Sequence, residues 1–177
     1  MSILKIARMG HPILRARARS LDTAEIKGAA IQKLIDDMIE TMREYHGVGL
    51  AGPQVHEGLR IFVAAVSADD EEPLPEEIEP LVFINPVVTP MASDIVENWE
   101  GCLSIPDVRG RVPRAREIKV TALDRRGGRV DLQTRNLTAR VIQHETDHLD
   151  GVLFVDRMAT LGSLTFLDEY SKYWVKD

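Results

Sequence analysis

The sequence predicts an α+β fold: mostly antiparallel β segments packed around a central helix, with a long helix nearer the N-terminus. Three observations lead there. Strand-like segments come as a block between two helical stretches instead of alternating with them, as a doubly wound sheet would require. Those segments are short and punctuated by turn residues. Both helical stretches carry apolar residues at helical spacing. The 177 residues suit one domain spanning 1–177, long enough to bury a substantial core.

In chain order, Gly10 and Pro12 mark a turn in an opening segment that alternates too poorly for a strand. From about Glu25 to Tyr45, Ile26, Ala30, Ile31, Leu34, Ile35, Met38, Ile39 and Met42 fall on one helical face. Asp22 or Thr23 is the expected N-cap, and Gly47 lies just past the end. GVGLAGPQV, with three glycines and a proline in nine residues, reads as a shaped loop. RIFVAAVS over 60–67 reads as a buried strand. DDEEPLPEEIEP over 69–80, with seven acidic residues and three prolines, reads as a solvated surface loop. LVFINPVVTP, DIVENWEGCLS, VRGRVPRAREIKVTALD and GRVDLQT are β-like, with RRGG at 125–128 placed as a hairpin turn. A second helix is expected over about Asn136–Leu149, where Leu137, Val141, His144 and His148 lie within roughly 60° of one another. The tail from Thr160 to Tyr173 is expected to form a third.

With 44% hydrophobic and 28% charged residues, the composition excludes wholesale disorder. A net charge of −6 argues against a dedicated nucleic-acid binder. No apolar run approaches the ~20 residues that cross a bilayer, so no membrane association is expected. A single cysteine, Cys102, cannot form an internal disulfide, and no secretory signal opens the sequence; a reducing cytoplasm is expected.

HETDH at 144–148 fits H-E-x-x-H on the second helix. Two histidines one turn apart project about 6 Å from each other, so both imidazoles can reach one divalent ion, with Glu145 beside them to handle a proton. The same string also fits a helix with a buried histidine and a surface Glu-His pair. An open metal site needs a third protein ligand. Downstream of His148, Asp150, Asp156, Asp168 and Glu169 offer themselves as carboxylates, the arrangement a zinc peptidase of the H-E-x-x-H kind would need. Upstream stands Cys102, whose thiolate would complete a Cys-His-His set, unless it is simply a small buried hydrophobe. His11, His46 and His56 read as surface or capping residues.

GVGLAGPQ at 47–54, EGCLS at 100–104 and QHETDH at 143–148 resemble the three signature motifs of the peptide deformylase family, in its order and approximate spacing. RMGHPILR, FINP at 83–86, VPRAREIKV and DGVLFVDR resemble its flanking sequence. Gly52 departs from the family's usual alanine, and Arg140 stands where some members carry an aliphatic residue. The resemblance implies one divalent ion per chain on Cys102, His144 and His148, Fe(II) in the cell, with zinc, nickel or cobalt as substitutes. It implies Glu145 as general base and acid, and the Gln54 side-chain amide with the Leu103 backbone N–H as oxyanion donors. Gly47, Val48 and Gly49 would pair with an extended peptide, and Val48, Glu100, Leu137 and Val141 would line a methionine pocket. The implied substrates are N-formylmethionyl nascent peptides, with formate as a product and transient ribosome association.

Overall fold

The computed structural model describes residues 2–66, 78–91 and 93–175. Most of the expected acidic loop over 69–80 lies outside the described residues; 78–80 carry no regular element.

The opening segment runs without regular structure to a 3-10 turn at Pro12–Arg15, where His11 Nδ1 accepts the Ile13 N–H at 3.2 Å. Helix α1 (Thr23–Lys27) starts at a capping box: Asp22 accepts the Glu25 N–H at 2.8 Å and Glu25 accepts the Asp22 N–H at 2.9 Å. The single helix expected over 25–45 is in fact two. Gly28, at φ −68° and ψ 143°, ends α1 and heads α2 (Ala29–Glu44). Glycine is the residue least committed to helical dihedrals, so the break falls there while the apolar periodicity runs on.

The expected loop at 47–55 contributes strand β1 (Gly49–Ala51) and a 3-10 turn at Gly52–Val55, closed by His56 in the left-handed region at φ 66°. The remaining elements are β2 (Ile61–Ala64), β3 (Leu81–Pro90), β4 (Ile95–Cys102), β5 (Ile105–Ala115), β6 (Glu117–Leu123), β7 (Arg129–Arg135), α3 (Asn136–Leu149), α4 (Phe154–Arg157), β8 (Thr165–Phe166) and α5 (Leu167–Tyr173). The described strands form two antiparallel sheets, one ordered β1-β2-β3-β6-β7 and one β4-β5-β8. The β-like run from Val108 divides at Arg116, so β5 and β6 serve different sheets. The hairpin joining β6 to β7 falls where RRGG placed it. Asp124 Oδ1 accepts the N–H groups of Arg126 and Gly128 at 2.8 and 2.7 Å, and Gly127 takes φ 81°.

Burial explains the layering. In β2, Ile61 and Val63 join the cluster formed with Ile35, Met38 and Met42 of α2, while Phe62 and Ala64 join the cluster formed with Ala139, Ile142 and Leu149 of α3. Successive side chains point to opposite faces, so the five-stranded sheet is covered by α2 on one side and α3 on the other. Phe62 stacks on Phe83 with ring centroids 4.8 Å apart. The three-stranded sheet has a smaller cluster of its own, which includes Cys102, Ile105 and Val112 with Leu14 and Phe154. Helix α3 therefore lies between the sheets, where residues from both reach its polar positions.

The tail is only half helical. A 3-10 turn at Leu161–Ser163 precedes β8, whose Thr165 and Phe166 pair with Arg109 and Val108 of β5, and α5 begins only after that pairing.

Candidate active site

Strand β4 delivers two side chains of the same parity, Glu100 and Cys102, to its buried face. Helix α3 delivers His144, Glu145 and His148, all buried. The ligand atoms of Cys102, His144 and His148 lie within 4.8 Å of one another, and Cys102 Sγ is 3.3 Å from His148 Nε2. Gln54, 1% exposed, reaches in from the 3-10 turn after β1. Its Oε1 accepts the Ala51 N–H at 2.8 Å, while Nε2 sits 3.4 Å from Cys102 Sγ and 3.3 Å from Ser104 Oγ. The opening segment ties these loops together: Ala7 N–H donates to the Gln54 carbonyl at 2.7 Å and Met9 N–H to the Ser104 carbonyl at 2.8 Å.

Gly49 is required by closeness to Glu145, since a Cβ there would stand 2.7 Å from the Glu145 carboxyl carbon. At Gly52 a Cβ would come within 2.9 Å of the carbonyl oxygens of Glu57 and Leu59, so a larger residue there would need the loop to shift.

The donor set fits a divalent ion. His144 Nδ1–H donates to Glu100 Oε2 at 2.9 Å, leaving its Nε2 for a ligand. Burial opposes ionisation of the Cys102 thiol, but the charge of His148 and hydrogen bonding from His144 outweigh it and favour the thiolate, the form that ligates. Burial raises Glu145, with the nearby histidines opposing, and its carboxyl is pushed up to about 7. Glu145 Oε2 and His148 Nδ1 are buried with no hydrogen-bond partner in the protein. Buried polar atoms are rarely left so; Glu145 borders a cavity, while His148 turns its Nε2, not its Nδ1, toward Cys102.

Beside the donors runs a charge network. Glu100 Oε1 accepts from Arg114 Nε at 2.9 Å and Arg140 Nη1 at 2.7 Å, and Oε2 accepts from Arg114 Nη2 at 3.0 Å. Arg114 also pairs with Asp147, which accepts from Arg157 Nη2 at 2.7 Å. Arg140 donates besides to the carbonyls of Val112 and Val96, at 2.8 and 2.7 Å. Burial opposes ionisation of Glu100, yet the bonds from His144 and Arg114 hold its carboxyl well below the usual carboxylate range.

Glu100, Cys102, Arg140, His144 and Glu145 line a cavity of about 850 Å3. Gly47, Val48, Gly49, Leu103, Leu137 and Val141 all border it, as do Glu100 and Gln54, while His148 lies beneath. Glu100, expected as pocket wall, has its carboxylate engaged by two arginines and His144. The sequence reading missed Arg114 and Asp147. A signal was present for the first, because Arg114 shares strand parity with the buried Val112. Three of the downstream carboxylates are occupied elsewhere: Asp150 pairs with Arg60 at 2.7 Å, Asp156 with Arg15 and Glu169 with Lys172 at 2.9 Å.

An H-E-x-x-H helix with a third ligand from a neighbouring strand and a buried carboxylate facing a cavity defines a metal-dependent hydrolase. The polypeptide deformylase family model matches residues 3–163. The chain is 43% identical to peptide deformylase 2 of Nostoc sp., over 99% of this chain and 97% of that one, and 43% identical to the peptide deformylase of Salinibacter ruber, over 89% and 82%. A solved class I type b peptide deformylase of Acinetobacter baumannii with Met-Ala-Ser bound is similar at TM-score 0.81 and 37% identity, covering 89% of this chain and 100% of that one. The peptide deformylase of Thermotoga maritima is similar at TM-score 0.80 and 36% identity, covering 90% and 100%. The chain belongs to the polypeptide deformylase family. Among the described residues, no helix is long and apolar enough to cross a membrane.

Proposed function

We propose that this protein hydrolyses the formyl group from the N-terminal methionine of newly made peptides, releasing formate, and that residues 1–177 act as one catalytic domain. The observation carrying this reading is the Cys102, His144, His148 donor set in a peptide-sized cavity beside a buried, unpartnered Glu145 oxygen, in a chain of this family.

Cys102, His144 and His148 hold the ion; Fe(II) is the proposed cellular metal, with zinc, nickel or cobalt able to substitute. Bound there, a divalent ion supplies Lewis acidity and brings the pKa of water toward neutrality. Glu145, its carboxyl poised near neutrality, accepts a proton as the formyl carbon is attacked and returns it to the departing amine. The Gln54 Nε2 hydrogens and the Leu103 N–H stabilise the charge that develops on the formyl oxygen. Gly47, Val48 and Gly49 offer backbone to an extended peptide, and Leu137 and Val141 meet the methionine side chain. A nascent-chain substrate places the enzyme in the cytoplasm, in transient contact with ribosomes.

The zinc-peptidase reading is not favoured, because it needs a downstream ligand and Asp150, Asp156 and Glu169 are paired away from the site. Anaerobically purified protein is expected to release formate from a formyl-Met-Ala-Ser peptide and leave internal peptide bonds intact. Cleavage of internal bonds without formate release would reverse the assignment.

A further inference from the structure

Residues 165–175 lie beyond the stretch matched by the family model, yet one of them, Leu167, borders the cavity. Pairing of Thr165 with Arg109 and Phe166 with Val108 fixes where the following helix begins. A seven-residue helix is too short to hold itself together in water. Its support is visible: Leu167, Tyr170 and Trp174 fall at i, i+3 and i+7, one face of a helical turn. The Tyr170 and Trp174 rings sit 5.0 and 5.5 Å from that of Trp99. Trp99 is the neighbour of Glu100 in β4 and itself borders the cavity. The same stripe carries Leu167 to the cavity rim, half-buried and close in sequence to nothing the catalytic reading uses.

We propose that this C-terminal segment is a specificity wall, with Leu167 as the side chain that meets apolar residues following the formyl-methionine of the substrate. This rests on the deformylase reading and adds a determinant to it. The cavity, at about 850 Å3, has room for more than one side chain. Its described lining beyond the methionine-pocket residues includes Ile6, Tyr45, Trp99, Pro106, Arg109 and Leu167, and of these only Leu167 lies on the C-terminal segment, so it is the apolar side chain that segment adds to the cavity. An extended peptide advances about 3.3 Å per residue, which brings the residues after methionine across a cavity of this size. Aliphatic or aromatic side chains bury area against Leu167, and glycine gains nothing there.

The test compares kcat/KM for formyl-Met-Leu-Ser and formyl-Met-Gly-Ser peptides. Leu167→Ala should lower the leucine-over-glycine preference by about 3- to 10-fold, through KM, less than a fully enclosed pocket would give. Leu167→Asp should lower it further, because a carboxylate at the wall disfavours apolar contact. Phe166→Ser, at a side chain 68% exposed on the same segment, should leave the preference as it is. Near-UV circular dichroism of the Trp99, Tyr170 and Trp174 cluster reports whether the tail stays docked. Loss of preference supports the wall in either case, and an unchanged preference overturns it in either case. Absence of formate release from both peptides by the wild type would instead fail the deformylase reading itself.

Discussion

Two groups of polar side chains, buried except for Arg157, meet where β4 and α3 come together and touch at a single hydrogen bond, from His144 to Glu100. On one side, Glu100, Arg114, Arg140, Asp147 and Arg157 form a network in which the carboxylate oxygens all accept from arginine or histidine. On the other, Cys102, Glu145 and His148 lie close together, yet Glu145 Oε2 and His148 Nδ1 have no protein partner. The protein interior satisfies one set and leaves the other open. A satisfied network stiffens the strand-helix contact and orients a ligand; an unsatisfied one keeps its capacity for an ion, a water and a proton.

That contrast makes graded predictions. Glu145→Gln removes a proton acceptor from the open set while keeping its volume, so kcat should fall by about 10²- to 10⁴-fold with metal content retained. Steady-state formate release with elemental analysis reads both; near wild-type turnover would remove Glu145 from the mechanism. Gln54→Ala should lower kcat by about 10²- to 10³-fold with a much smaller change in KM, because charge on the formyl oxygen develops mainly in the transition state. A raised KM with kcat intact would make Gln54 a docking residue.

Within the closed set the effects fall on stability and metal affinity. Arg114→Ala leaves Glu100 and Asp147 partly unpaired and should cost about 3 kcal/mol, read as a lower denaturant midpoint at unchanged slope. A midpoint like the wild type's would show that Arg140 and Arg157 suffice alone. Glu100→Gln keeps an acceptor for His144 but loses the charge behind it, and should weaken metal binding by about 10- to 100-fold in a chelator competition. Unaltered affinity would make the His144–Glu100 bond a matter of packing.

The contrast also separates what the sequence could reveal from what it could not. Helix α3 was legible to its ends because its apolar residues and both histidines repeat at one period, and β7 leads straight into it. The antiparallel block was legible from alternation and from RRGG. The break at Gly28 was hidden, because the apolar stripe continues across it while one residue changes its backbone. The division at Arg116 was hidden too, since which sheet a strand joins is decided by partners distant in sequence. In the site, Cys102 and the H-E-x-x-H residues announce themselves by residue type. The Arg114–Asp147 pair does not, because its two members lie 33 positions apart and only the packing of β5 against α3 joins them. Leu167 was legible only as a helix residue; its place at the cavity depends on the β5–β8 pairing.

The central claim is that Cys102, with His144 and His148, holds the ion on which turnover depends. Metal stoichiometry measured beside formate release in Cys102→Ala tests it most directly. Wild-type protein should carry about one ion per chain and release formate, following the three-ligand open site, while Cys102→Ala should lose most of the ion and turnover together. A Cys102→Ala protein that keeps its metal and its formate release would contradict the account.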